Sequence, residues 1–269
     1  MSSSVDGMSM GSVPMTLTFL GTGTSCGVPT LGCTCEVCRS TDARDKRLRT
    51  AALLECGDTR ILIDCGPDIR QQLMPLPFGP LTGVLLTHIH YDHVGGLDDL
   101  RPFSVFGDTH IYADATTVAG VRRAMPYCFT DKLYPGVPKI NLHTITARQA
   151  FRLGGVEVLP VQVMHGKLPI LAYRFGPLAY VTDMKSISET DAALLEGVDT
   201  LVVNALRWEK PHHSHMLVDD AIRFSHRLGA RSTYFIHMNH DIGLHADVCR
   251  RLPQGFSLAY DGLRIKVNG

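Results

Sequence analysis

Four potential metal ligands fall within six residues directly after an apolar run. THIHYDHVGG, Thr87 to Gly96, carries His88, His90, Asp92 and His93 and follows Gly83–Leu86, which reads as a buried strand. Strand residues two apart point the same way, so His88 and His90 can face one cation just beyond the strand end. Asp92 and His93 lie where the chain turns into the next helix and can face a second cation nearby. Imidazole and carboxylate donors suit zinc, manganese or iron. Gly95 and Gly96 let the backbone approach a neighbour closely. A fold that uses these residues must bring the end of a buried strand to an open cleft.

Around this segment the chain alternates strand hairpins with helices. Leu17–Leu20 reads as a strand. Ala51–Glu55 and Arg60–Ile63 read as a hairpin around a Gly-Asp turn. Pro67 opens a helical stretch to about Met74, and Asp114 caps a helix running to Met125. The second half repeats the grammar. Hairpins are expected over Phe151–Val163 and Leu171–Val181, helices over Ser188–Leu195, Val218–Leu228 and Leu244–Arg251, and strands over Thr200–Val203 and Thr233–Ile236. A final hairpin is expected over Ser257–Val267 around Asp261-Gly262. This order predicts an α/β protein, an αββα sandwich of two packed sheets with helices outside. Residues 1–14 read as a flexible lead-in and 15–269 as a single domain, with a zinc-binding loop at about 25–40.

Composition excludes several classes. The 269 residues are 45% hydrophobic and 19% charged, with a formal net charge of zero, so no global basic excess points to a stable nucleic-acid partner. No basic and apolar leader opens the chain, and no run approaches the ~20 apolar residues of a membrane span. These features predict a cytoplasmic protein without a membrane partner.

THIHYDHVGG resembles the H-x-H-x-D-H signature of the metallo-β-lactamase-fold hydrolase superfamily. The superfamily pattern adds an early Asp, a later His, a later Asp and a final His. Asp64 in LIDCG, His165 in VMHGK, Asp183 in YVTDM and His237 in FIHMN match it, each after a strand-like run. The resemblance implies that one metal takes His88, His90 and His165. The other takes Asp92, His93 and His237, Asp183 bridges them, and Asp64 is a buried support. Two such cations, Mn²⁺ or Zn²⁺, would share a hydroxide and stabilise an in-line displacement at phosphorus, with Asp92 counted among the catalytic residues. KPHHSHM, Lys210 to Met216, places His215 just ahead of a helix, as in phosphodiesterase members of the superfamily. That likeness makes His215 a general acid or an electrostatic clamp on phosphate. His213 and Lys167 are candidate substrate contacts.

GCTCEVC, Gly32 to Cys38, offers three thiolates in a C-x-C-x-x-C spacing. His240, three residues after His237, completes a Cys₃His set of Cys33, Cys35, Cys38 and His240. Four protein ligands leave no open position, so this second site is structural zinc. The GTGTSCGVPTLGCTCEVC segment resembles PhnP-type phosphodiesterases. That likeness implies hydrolysis of 5-phosphoribosyl 1,2-cyclic phosphate or a similar cyclic phosphodiester in phosphonate breakdown, and a homodimer.

Spacing weighs other superfamily activities. tRNA 3′-processing nucleases carry a long arm between the later His and Asp, where this chain has 17 residues. Glyoxalase II-like thioesterases add a helical substrate domain after the final His, where this chain has 32 residues. Flavodiiron oxidoreductases place an acid where His90 stands. A metal-bound sensor or binding module with little turnover is the alternative from another class.

Overall fold

The computed structural model describes residues 14–132 and 136–267. The lead-in expected over residues 1–14 lies outside the described residues apart from Pro14. Six strands come from the first half: β1 (Met15–Gly21), β2 (Ala51–Cys56), β3 (Thr59–Ile63), β4 (Gly83–Leu85), β5 (Thr109–Ala113) and β6 (Ile140–Thr144). They lie side by side in chain order. The second sheet holds β7 (Phe151–Leu153), β8 (Val156–His165), β9 (Leu168–Phe175), β10 (Leu178–Val181), β11 (Thr200–Asn204), β12 (Ser232–Ile236) and β13 (Phe256–Leu258), again in chain order. A last strand, β14 (Arg264–Val267), returns to the first sheet beside β1. The helices are α1 (Glu36–Arg39), α2 (Ile69–Leu73), α3 (Tyr91–Val94), α4 (Ala115–Ala124), α5 (Glu189–Ala193), α6 (Val218–Leu228) and α7 (His245–Arg251).

Strand periodicity builds three apolar layers. Leu54, Ile61, Ile63 and Leu85 face inward and meet Val158, Tyr173, Phe175, Leu178 and Tyr180 of the other sheet. Their neighbours Leu53, Leu62 and Val84 face outward and pack with Val94, Leu100 and Val121. Ala179, Val181, Leu201, Val203 and Phe235 face outward on the second sheet against Val218, Ala221, Phe224 and Leu228 of α6. Both faces of each sheet are thus covered, which explains the nearly continuous apolar runs of β10 and β11. This is the expected αββα sandwich.

Helix ends follow their caps. Asp114 accepts from the amides of Thr116 and Thr117 at 2.7 and 3.0 Å and starts α4. Ser188 caps α5 in the same way. Pro67, expected to open a helix, stands outside α2, which begins at Ile69. The carboxylate of Asp68 instead accepts from the Arg49 amide and pairs with its guanidinium at 2.9 Å.

The expected hairpin over Ser257–Val267 does not form. Asp261-Gly262 does turn the chain, with Gly262 at φ 89°. The Gly262 amide, however, donates to Phe19 O at 2.7 Å, and Phe19 N donates to Leu263 O at 2.9 Å. The turn is therefore stitched to β1. Its first arm pairs parallel with β12 and its second antiparallel with β1, in different sheets. Strands β5 and β6 go beyond the sequence reading. Only Ile140 of β6 is buried, so this edge strand carries little apolar signal.

Candidate active site

The loops that follow β3, β4, β8, β10 and β12 converge at one edge of the sandwich. Asp64, Asp183 and His237, in three of these loops, adopt left-handed backbone with φ of 62°, 56° and 55°. Non-glycine residues hold that conformation at a cost of about 1–3 kcal/mol and only where surroundings enforce it. Two loops lock by close backbone approach. A Cβ on Gly66 would lie 2.0 Å from Asp92 O, and one on Gly96 would lie 2.0 Å from Gly66 O. Both glycines of HVGG sit at close approaches, Gly96 against the LIDCG loop and Gly95 where a Cβ would lie 2.7 Å from Tyr91 O.

The side chains form two adjoining groups. His88, His90 and His165 offer ring nitrogens within 4.8 Å of one another, and so do Asp92, His93, Asp183 and His237 with one donor atom each. Asp183 faces both groups. Its Oδ2 lies 3.9 Å from His88 Nε2, while its Oδ1 lies 3.5 Å from His93 Nε2 and 3.1 Å from His237 Nδ1. All seven sequence-predicted residues are thus brought together, in the grouping that the resemblance implies.

A further set of side chains and carbonyls aims these rings. His93 Nδ1–H donates to Asp64 Oδ2 at 2.7 Å. His165 Nδ1–H donates to the carbonyls of Asp183 and Ser214 at 2.8 and 3.1 Å. His88 Nδ1–H donates to Thr87 Oγ1 at 3.0 Å, and the Thr87 hydroxyl donates in turn to Asp64. These contacts at Nδ1 orient the rings as second partners orient metal-ligating histidines, and His88 Nε2 also lies 2.9 Å from His90 Nδ1. Asp64 is fully buried and bonded to Thr87 and His93, beside the cluster and outside its donor groups.

Three buried ring nitrogens, His93 Nε2, His215 Nδ1 and His237 Nδ1, lack a hydrogen-bond partner. Buried polar atoms are nearly always satisfied, and the orphans on His93 and His237 fit a group that binds them as ligands. The electrostatics agree. Burial alone would raise the Asp183 carboxyl, but His237, His93 and His88 hold it well below its ordinary value. Burial, reinforced by His93, keeps His88 neutral. His93 differs: burial lowers its imidazole, but Asp183 and Asp64 outweigh that and hold it well above the ordinary value, so without a cation it keeps a proton that metal binding would displace. A carboxylate among imidazoles is the donor set that divalent cations take.

A cavity of about 590 Å³ opens on this cluster, lined by His90, His165, Gly166, Lys167, Leu168, His213 and Ser214. Lys167 and His213 thus line the mouth. His215 is buried deeper, its ring 4.7 Å from that of His165 and 4.8 Å from that of His237. Burial, with His237 beside it, pushes the His215 imidazole down to about 2. His212 is tied into its own loop through Ser214.

Cys33, Cys35, Cys38 and His240 form a separate group of four with donors within 4.8 Å. Cys33 and Cys35 Sγ each lie 3.2 Å from His240 Nδ1. Burial opposes ionisation of Cys35, yet the Cys38 amide and His240 bring it down to about 6. Burial and the adjacent thiols push Cys38 up to about 11. Three thiols this close cannot all ionise unless a cation shares their charge, so the set fits zinc.

Thr24, Thr87 and Asn204 escaped the sequence reading. Asn204 holds the loop after Asp183 by accepting from Met184 N at 2.7 Å and donating to Met184 O at 3.0 Å. Thr87 and Thr24 stand next to recognisable features, the His motif and the GTGTS turn. Their neutral hydroxyls carry no signal of their own.

Residues 59–238 match the family model described as a β-lactamase superfamily domain. A crystal structure of a diphosphatase from the PhnP family superposes with a TM-score of 0.88 at 37% identity, covering 94% of this chain and 97% of that one. Zn²⁺-bound PqqB from Methylobacterium extorquens superposes at 0.75 with 22% identity, covering 94% of this chain and all of that one, a likeness of fold. Among curated proteins, a Porphyromonas gingivalis octanoyltransferase is 41% identical over 251 residues, 93% of this chain but 51% of that protein. A PQQ synthesis protein B of Methylorubrum extorquens is 34% identical over 38% of this chain and 40% of its own length. The chain spans about half or less of these two relatives. Its fold and the match over most of its length agree: the chain belongs to the β-lactamase superfamily and, within it, to the PhnP family.

Proposed function

We propose that this chain is a metal-dependent phosphodiesterase that hydrolyses a cyclic phosphodiester resembling 5-phosphoribosyl 1,2-cyclic phosphate. The observation that carries the reading is Asp183, whose two oxygens face two groups of ligand-type side chains, one of which reaches an open cavity through His90 and His165. Two divalent cations, Mn²⁺ or Zn²⁺, bound there would supply an activated water at neutral pH and neutralise phosphoryl charge. His88, His90 and His165 would hold one, Asp92, His93 and His237 the other, and Asp183 both. Cys33, Cys35, Cys38 and His240 would hold a structural zinc.

The remaining residues bind and orient. Lys167 and His213 line the cavity mouth, where a cation and an imidazole favour an anionic substrate. His215 sits beside His165 and His237 and is neutral before substrate arrives, so it serves first as an N–H donor to a phosphoryl oxygen. A bound phosphate favours its protonated form, and from that state it can protonate the leaving alkoxide. The substrate is a small molecule. A homodimer without nucleic acid or membrane partners completes the reading. No helix among the described residues is long and apolar enough to cross a membrane.

A second reading, hydrolysis of a diphosphate linkage, draws on the PhnP-family diphosphatase at 37% identity. The test is one screen of purified protein whose metal content is measured on the same sample. Its arms are bis(p-nitrophenyl) phosphate, ribose cyclic phosphates, a nucleoside diphosphate-linked compound and an octanoyl ester. Preferred turnover of cyclic phosphates supports the proposal. Preference for the diphosphate supports the second reading. Preference for the octanoyl ester, or no turnover in protein holding two cluster metals, overturns the phosphoester reading.

A further inference from the structure

The arm between β1 and β2 does more than carry the cysteines. Thr24, buried on this arm, places its hydroxyl 3.3 Å from His237 Nε2. The backbone around it is fixed. Thr24 N donates to Met238 O at 3.0 Å, Met238 N donates to Thr22 O at 3.1 Å, and the Thr50 hydroxyl donates to Gly23 O at 2.8 Å. A Cβ on Gly23 would lie 2.8 Å from Arg47 O, so the arm packs tightly against the strand entry behind it. Three residues beyond His237, the same arm meets the chain again where Cys33 and Cys35 approach His240. The stretch 237–240 is thereby held at both ends by one arm. His237 is also one of the strained left-handed residues, a conformation that persists only where its surroundings enforce it.

We propose that Thr24 is a positioning residue for His237, and that the arm closed by the thiol cluster sets metal affinity selectively in the Asp92, His93 and His237 half of the site. The inference rests on the metal-dependent reading above. His237 Nδ1 faces Asp183 and has no hydrogen-bond partner. Its other nitrogen, Nε2–H, then donates to Thr24 Oγ1, which fixes both tautomer and ring orientation. The other half does not depend on the arm. His88 and His165 are oriented by Thr87 and by the carbonyls of Asp183 and Ser214, and His90 Nδ1 lies 2.9 Å from His88 Nε2.

Native mass spectrometry and chelator competition with Mn²⁺ and Zn²⁺ test this on the full chain, with melting temperature recorded alongside. Wild type is expected to hold two cluster metals. Thr24→Val is expected to hold one as before and to bind the other roughly ten- to a hundredfold more weakly, the scale for losing a partner that orients a ligand. Thr24→Ser is expected to restore it. In a His90→Ala background, Thr24→Val is expected to weaken the one metal that remains. Thr24→Ala makes the same comparison if valine disturbs folding. Equal weakening of both metals, or none, overturns the proposal. A wild-type chain that holds no cluster metal overturns the underlying functional reading instead, before any Thr24 variant is compared.

Discussion

The two ligand clusters of this molecule differ in how they are assembled. The thiol cluster takes three donors from Cys33 to Cys38 and one from His240, and three of the four are partly exposed or exposed. The His/Asp cluster draws on loops after four different strands from position 88 to 237, and Asp92, His93, Asp183 and His237 are all buried. The first has four protein donors and no vacant direction. The second opens onto a cavity of about 590 Å³. A closed donor set can only hold chain segments together, whereas an open one leaves room for a reacting molecule. The difference teaches that local density of ligands does not separate the two sets, since each starts from a dense segment; what differs is that the His/Asp set is complete only where segments from distant strands meet.

The sharpest way to break this comparison is His90→Ala. Removing one donor of the open set is expected to lower phosphodiester hydrolysis roughly a thousandfold or more, the scale of losing a main electrostatic stabiliser. The melting temperature should stay within a few degrees. Unfolding of this variant would mean that the open set is the clasp. Asp64→Asn comes next. Asparagine can still accept from Thr87 but loses the charge beside His93, so a roughly ten- to hundredfold fall in metal affinity is expected by chelator competition. Unchanged affinity would separate Asp64 from the site.

Cys35→Ser reverses the pattern. It should release the zinc of the closed set and cost about 3 kcal/mol, or roughly 6–12 °C in Tm, with a loss of hydrolysis below about tenfold. Full loss of hydrolysis with zinc and Tm intact would move the chemistry to the thiols. The smallest effect on catalysis is expected at Asp261, which fastens the cysteine-bearing arm by accepting from Thr22 and Leu48. Burial raises its carboxyl from the ordinary 3.8 to about 6. The folded chain then keeps a proton that the unfolded chain releases. Its contribution is therefore complete below the unfolded value and is lost as pH rises through about 6. Relative to Asp261→Asn, wild type should lose on the order of 3 kcal/mol across that window in chemical denaturation. A flat difference would remove Asp261 from the fastening.

The most legible parts of this molecule were those that use residues of distinctive chemistry. The four donors of THIHYDHVGG stood out by their density, His165, Asp183 and His237 only through the resemblance to the superfamily pattern, and the four zinc-type donors because three cysteines sat close together. Helix α6 was legible to the residue from its amphipathic pattern. The rest depended on partners far along the chain. Asp261-Gly262 looks like any hairpin turn until Phe19 takes its hydrogen bonds. Strand β6 exists because β5 pairs with it, with little burial of its own to announce it. Thr24 and Thr87 are common residues whose role comes wholly from the rings opposite them.

The return of β14 to the first sheet has a kinetic consequence. Met15 pairs with Val267, so the outermost pairing of that sheet joins residues from opposite ends of the described chain. The segment between them runs through the other sheet, where β13 pairs with β12. Loop-closure entropy makes such pairing slow, and β1 presents a bare edge to other chains until it is complete. Refolding is expected to be limited by this late closure, and aggregation during refolding to begin at that unprotected strand.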